Sequence, residues 1–195
     1  SKIKKTLPKG GIIINTLIGE SNIAFFKQIK DADITISNGY YIMNYSITEE
    51  EISIIGPDLL EGHFSCWNYM MSINTPESRK FINSFKELYG NDRVVTDPEE
   101  SAYNMVYLWK QAVEDAGTFD DNAVRKALVG QTFNAPQGQV EVMANHHLAQ
   151  TVRIGQINIE GGFTILKESK IIKPQAWNQL LKKGYVCDWK NSNKI

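Results

Sequence analysis

Apolar residues along this chain come in short blocks whose spacing alternates between strand-like and helix-like. In the stretch from Gly11 to Thr16, Ile12, Ile13 and Ile14 are consecutive, with Leu17 just beyond. Unbroken apolar character of this length predicts a strand covered on both faces, as parallel sheets require. A turn over Leu17 to Ser21 and a helix from about Asn22 to Ala32 follow, in which Phe25, Ile29 and Ala32 form the face that would pack on the sheet. The β-α order then repeats. A strand over 40–46 (YYIMNYS) leads to Thr48-Glu49-Glu50-Glu51, where Thr48 and Glu51 have the spacing of a capping box. The helix it opens runs to Ile55 and stops at Gly56-Pro57.

Residues 61–70 (EGHFSCWNYM) carry strand-type side chains and lead to Thr75-Pro76, a helix cap followed by proline in the first turn. Phe81, Phe85 and Leu88 trace one face of that helix, and Gly90 ends it. Asp97-Pro98-Glu99-Glu100 signals the next start, with Asp97 as cap and first-turn carboxylates that suit the helix dipole. This helix is expected to reach Ala116, with Met105, Trp109, Ala112 and Ala116 on one face, Val106 and Val113 beside them, and Gly117 as stop. A short helix over Asp121 to Val129 completes the helical part.

Beyond Gly130 the period changes to two: strands over 138–142, 148–159 and 163–169, the last two joined as a hairpin by Glu160-Gly161-Gly162. The change of face within the long strand puts a bulge at Gly155. The fold class that follows is α/β, a mostly parallel sheet flanked by helices, with an antiparallel β extension near the C-terminus. The aromatic but weakly patterned tail, 176–195, is expected to wrap the surface.

Composition narrows the function. With 42% hydrophobic and 22% charged residues the 195-residue chain has the makings of a sizeable core. Its formal net charge of −1, spread evenly, offers no electrostatic footprint for nucleic acid or an anionic membrane. No apolar run approaches the roughly 20 residues of a bilayer span, and the start SKIKKTLPKGG lacks the apolar stretch of a secretory signal. Cys66 and Cys187 are too few for a structural zinc site, and the sequence leaves open whether they pair or stay as separate thiols.

Catalysis needs convergent groups, and the expected answer is that this is no enzyme. His63 and the pair His146-His147 lack zinc-hydrolase spacing and read as surface side chains. No P-loop, G-x-G-x-x-G or G-x-S-x-G occurs, and NTLIGESN has one glycine, too few to cradle a phosphate. Cys66 and His63 point to opposite faces if both lie on a strand, which suits a packed thiol better than a nucleophile. Glu49, Glu50 and Glu51 fan out around a helix instead of converging on a metal, so no cofactor or metal is expected. In open α/β sheets ligands sit beyond the carboxyl ends of strands. That points to Asn15-Thr16 and Asn44-Tyr45-Ser46, whose hydroxyl and carboxamide groups and one ring suit a small uncharged amide. Pattern alone leaves open whether these residues touch a guest or are simply strand-end and turn residues.

The order of motifs carries a resemblance. LPKGGIIINTLIGESNIAFFKQIK, SITEEEISIIGPDLLEGHFSCWNY, NTPESRKFINSFKELYG, DPEESAYNMVYLWKQAVEDAG, and NAPQGQVEV with TVRIGQINIEGGF resemble the urea and short-chain amide binding proteins. These belong to the branched-chain amino-acid group of type I periplasmic binding proteins. The likeness runs from about Leu7 to Pro174 and rests on the E-E-E, G-P, E-G-H and N-A-P segments at these spacings.

Members of that family are about twice this long, with two α/β lobes joined by a hinge and the ligand between them, so the chain resembles their C-terminal half. The resemblance implies that 1–62 and 131–175 belong to the C-terminal lobe and 66–130 to part of the N-terminal lobe, with the Cys66-Trp67 strand as a hinge crossing. It points to Ser46 as the polar contact, beside Asn44 and Tyr45, although Ile47 is bulkier than the small residue expected there. It also implies the partners: a small amide or urea, an ABC permease or a signalling partner, and the missing N-terminal half, with a homodimer as a further arrangement. A solute receptor outside the cytoplasm, its export signal beyond this sequence, is the first reading. An amide-responsive regulator, cytoplasmic or in a receptor ectodomain, is the second, and an amide hydrolase the third.

Overall fold

The computed structural model describes residues 2–175, 177–178, 180 and 183–184. The tail expected over 176–195 falls largely outside these, and so does Cys187, so the pairing of Cys66 lies outside the described residues. A short helix, α1 (Lys2–Thr6), which the pattern did not announce, precedes β1 (Gly11–Asn15). Helix α2 (Ser21–Asp31) returns the chain to the start of β2 (Tyr40–Asn44), which lies parallel to β1 with Asn15 opposite Asn44. Gly10, at φ 82°, lies just before β1, where a side chain would run into the Gly39 carbonyl.

Helix α3 (Glu49–Ile55) opens with the expected capping box of Thr48 and Glu51 and ends at Gly56. The one-turn α4 (Pro57–Leu60) follows at once, and β3 (Phe64–Trp67), shorter than expected, adds a third parallel strand. Helix α5 (Pro76–Tyr89) starts as expected, the Thr75 hydroxyl accepting from the Ser78 N–H at 3.1 Å. Helices α6 (Asp97–Ala116) and α7 (Asp121–Leu128) follow, then β4 (Thr132–Ala135), β5 (Gly138–Val142), β6 (Leu148–Ala149), β7 (Arg153–Ile157) and β8 (Phe163–Glu168).

Two sheets result. One has five strands in the order β1-β2-β3-β7-β8, with β7 and β8 antiparallel; the other, β4-β5-β6, is antiparallel throughout. The parallel core with an antiparallel extension is therefore present, and the register shift between Ile154 and Gly155 is the expected bulge. The expected strand over 148–159 is instead two strands in different sheets, because the chain leaves one sheet after Ala149 and enters the other at Arg153.

Phe26, Ile42, Ile47, Ile52, Leu60 and Met70 anchor the main core beneath the five-stranded sheet. Tyr69, Ile73, Phe81 and Val95 form a second cluster, and Leu108, Ala135, Val140 and Val142 a third, behind the smaller sheet.

Several expected faces are corrected. Strand β1 is not covered on both sides, since Ile12 and Ile14 are 64% and 60% exposed while Ile13 packs on the core. In α2 Phe26 is buried, with Phe25 and Ala32 only packed against its edge. Leu88 is exposed. The cap of α6 is Thr96, not Asp97. That helix buries Glu100, Asn104, Leu108 and Ala112, while Met105, Val106 and Trp109 face outward. His63, expected at the surface, is buried, whereas His146 and His147 are exposed.

Candidate functional site

The carboxyl ends of β1 and β2 meet in a buried polar strut. Because the two strands are in register, Asn15 and Asn44 face each other, and the Asn15 Nδ2 donates to Asn44 Oδ1 at 2.8 Å and to Asn22 Oδ1 at 2.9 Å. Asn44 Nδ2 donates to the Phe64 carbonyl at 2.8 Å, and Asn15 Oδ1 accepts from the Leu17 N–H at 3.0 Å. Asn22, in the first turn of α2, holds the Leu17 carbonyl at 3.0 Å. All three asparagines are at most 3% exposed, so their amide groups are spent on one another and on the backbone.

Above this strut the exposed groups are Thr16, on the loop after β1, and Tyr45, with Ser46 half-buried beside it. The Ser46 hydroxyl donates to the Leu17 carbonyl, and Asn22 Nδ2 reaches its oxygen at 3.4 Å. Its proton is thus committed, and what it presents outward is acceptor capacity. Of the five residues singled out from the sequence, Thr16, Tyr45 and Ser46 are accessible just past the carboxyl ends of β1 and β2. Asn15 and Asn44 lie beneath them as support.

The same end of the sheet is tied to the segment that leads into α5. Trp67 Nε1 donates to the Ile47 carbonyl at 2.7 Å, and Glu49, which was read only as a capping residue, accepts from the Met71 N–H at 2.7 Å. Asp97 Oδ1 accepts from the N–H groups of Asn68 and Tyr69. Arg153 donates to the Asn68 carbonyl, to the Gln137 carbonyl at 2.8 Å and to Glu168 at 2.9 Å. Glu100 accepts from Gln137 at its N–H and at its side-chain amide, both at 3.2 Å. The segment that follows β3, near 68–71, and the β4–β5 turn at 136–137 are therefore both held by buried side chains, and Arg153, which opens β7, ties the two together.

Burial sets the electrostatics of this clasp. Desolvation pushes the carboxyls of Glu49 and Glu100 up to about 7, with the neighbouring Asp97 charge adding to both, and it raises Asp97 as well, against the Asn68 and Tyr69 N–H groups and the Arg153 charge. Sequence reading missed Asn22, Gln137 and Arg153. A lone arginine between Val152 and Ile154 in a strand was the available signal, since an inward charge there demands partners. Among the described residues no group of three or more His, Cys, Asp or Glu is placed to hold a metal ion.

A family model described as "Periplasmic binding protein domain" matches residues 1–183. A protein named Limonene hydroxylase from Geobacillus stearothermophilus is 33% identical over 116 residues, 60% of this chain and 21% of that protein. Leu/Ile/Val-binding protein homolog 6 of Brucella melitensis biotype 1 is 23% identical over 142 residues, 71% of this chain and 36% of that one. The fold is shared with a solute binding protein of an ABC transporter from Rhodopseudomonas palustris BisB5 in complex with 3,4-dihydroxy benzoic acid. That match has a TM-score of 0.75 at 14% identity and covers 88% of this chain and 48% of the other. A leucine binding protein from Thermotoga maritima matches with a TM-score of 0.65 at 21% identity, covering 80% and 44%. The chain thus spans less than half the length of each of these proteins.

Proposed function

This chain belongs to the periplasmic binding protein domain family, and from that premise we propose that it forms part of an extracytoplasmic solute receptor for an ABC permease whose guest is a small neutral amide or urea. The observation that carries the reading is that Thr16, Tyr45 and Ser46 stay accessible just past the carboxyl ends of β1 and β2, next to the asparagine strut, where open α/β sheets bind ligands. Ser46 offers an oxygen whose own proton is already used, which selects guests that donate N–H. The exposed Tyr45 ring can cover a flat amide face. These three side chains carry no positive charge, which argues against a carboxylate guest at this spot.

The lobe assignment belongs to the same proposal: 1–62 and 131–175 in one lobe, 66–130 in part of the other. Two exposed apolar faces support it, Ile12 and Ile14 on β1 and Met105, Val106 and Trp109 on α6. Contiguous apolar surface of this kind marks a contact site, and the remaining part of a two-lobed fold would cover both. Closure over the guest would then depend on its higher affinity for the closed form.

Calorimetric titration of the purified protein with urea, acetamide, formamide and leucine tests the reading. Heat with an amide, abolished by Ser46→Val or Tyr45→Ala, is the expected result. Tight leucine binding without an amide response overturns the amide assignment.

A further inference from the structure

A second cleft, of about 240 Å³, lies among α2, the segment before β2, and α4. Its lining includes Thr35 and Ser37, just before β2 begins, and His63, just before β3 begins. Since those strands are parallel, this is the amino end of the sheet, opposite Tyr45 and Ser46. Phe26, Ile29, Ile34 and Leu59 form the apolar part of its walls, beside about as much polar surface. Asp58 and Glu61 stand at the rim, and the Lys30 ammonium is 3.6 Å from Asp58, so its charge is already matched.

The imidazole gives this cleft a fixed donor. His63 is 4% exposed, and its Nδ1 accepts from the Ile42 N–H at 3.3 Å, which requires that nitrogen to be unprotonated. Burial lowers the ring to about 4, so at neutral pH it carries one proton, on Nε2. Nε2 has no hydrogen-bond partner among the described residues, yet His63 is not among the side chains whose unpartnered atoms are sealed from solvent, and the space it lines is this cleft. A donor held by a buried ring that lines a partly apolar cleft is the arrangement of a small-molecule site, where a few polar groups fix the orientation of the guest.

We propose that this cleft is a second binding site, separate from the carboxyl-end site, for an uncharged single-ring aromatic carboxamide whose carbonyl oxygen accepts from His63 Nε2. The apolar walls cover the ring. The Thr35 and Ser37 hydroxyls, 2.9 Å apart, accept the amide N–H groups. With Lys30 and Asp58 offsetting one another, the Glu61 carboxylate leaves the rim net negative, which disfavours the corresponding carboxylate. The volume is below the roughly 300 Å³ at which sites for drug-sized ligands begin, which limits the guest to one ring. The site shares no residue with Thr16, Tyr45 and Ser46 and does not depend on the function proposed for them.

Proton–nitrogen NMR of the whole chain titrated with benzamide tests this. A saturable shift of His63 Nε2 and of the backbone amides over 34–37 and 58–63 is expected, with no comparable response to benzoate. Ser37→Trp fills the mouth from an exposed position and leaves the bond between His63 and Ile42 intact. It should weaken benzamide binding about tenfold or more, the effect of losing a hydrogen bond and the room for the ring. His63→Phe should do the same, its retained amide spectrum showing that it folds. Absence of a saturable shift, shifts confined to Tyr45 and Ser46, equal binding of benzoate, or full binding by Ser37→Trp would each overturn the proposal.

Discussion

One oxygen of Asp97 accepts hydrogen bonds from two successive backbone N–H groups, that of Asn68 at 2.9 Å and that of Tyr69 at 2.7 Å. The first residue of α6 thereby fixes the chain where it leaves β3, and the two helical carboxylates near it, Glu99 and Glu100, do different work: Glu99 closes the cap on Thr96, and Glu100 holds Gln137.

Asp97→Ala strands both N–H groups in a buried place, and each unsatisfied donor costs roughly 1–3 kcal/mol. Asp97→Asn keeps an acceptor oxygen and loses the burdened charge, so it should be much milder. Urea denaturation of the three proteins should rank them wild type, Asp97→Asn, Asp97→Ala, with Asp97→Ala lower by about 2–5 kcal/mol. Equal midpoints would show that the 68–69 segment is held by something else.

The clasp also predicts a pH dependence. Glu100 titrates near 7 in the folded chain, above its ordinary value of 4.5, because burial disfavours the charged form. The folded state therefore holds its proton more tightly than the unfolded state. The stability this contributes is complete below about 4.5 and is lost as pH rises through about 7, amounting to ~3 kcal/mol across that window. Glu49 adds a slope of the same sign. Replacing Glu100 with Gln should flatten the profile of unfolding free energy between pH 4.5 and 7 relative to wild type. A variant profile parallel to wild type would rule Glu100 out as the titrating group.

How much of this was legible follows the range of the interactions. The capping box of Thr48 and Glu51 and the Thr75-Pro76 start were readable because the partners lie within one turn. The Gly155 bulge was readable from a local change of face. The buried side of α6 was not. Met105 and Trp109 stand on the face expected to pack and are exposed, while Glu100, expected only to suit the helix dipole, and Asn104, which the pattern did not single out, are buried, because Gln137 and the smaller sheet lie against that side. The candidate site was half legible in the same way. Polar residues at the ends of β1 and β2 were evident, but that Asn15 and Asn44 bond each other depends on the register of strands 29 residues apart.

That register makes Asn44 a sharp probe of the strut. Its oxygen must accept from Asn15 and its nitrogen must donate to the Phe64 carbonyl. Asn44→Asp preserves shape and places a carboxylate against that carbonyl at a position with no exposure. A loss of about 2–4 kcal/mol is expected, larger than the loss for Asn44→Ala, since a buried unpaired charge costs more than a missing hydrogen bond. Thermal unfolding followed by circular dichroism orders the two variants, and the reverse order would mean that Asn44 has room to relax toward solvent.

The bulge in β7 offers a test of packing that does not involve charge. A methyl group added at Gly155 would sit 2.6 Å from the Met70 sulfur and 3.0 Å from Phe163 Cβ, inside a core where Met70 has no exposure. Gly155→Ala should therefore destabilise the chain by about 1–3 kcal/mol through overpacking. Met70→Val, which withdraws the far end of the obstructing side chain, should by itself cost about 1–2 kcal/mol by leaving a cavity. If the clash is with Met70, the double variant should be more stable than the sum of the single losses predicts, with a coupling of about 1 kcal/mol or more. Additive losses in a urea-denaturation cycle would place the conflict at Phe163 or in the backbone of the bulge instead.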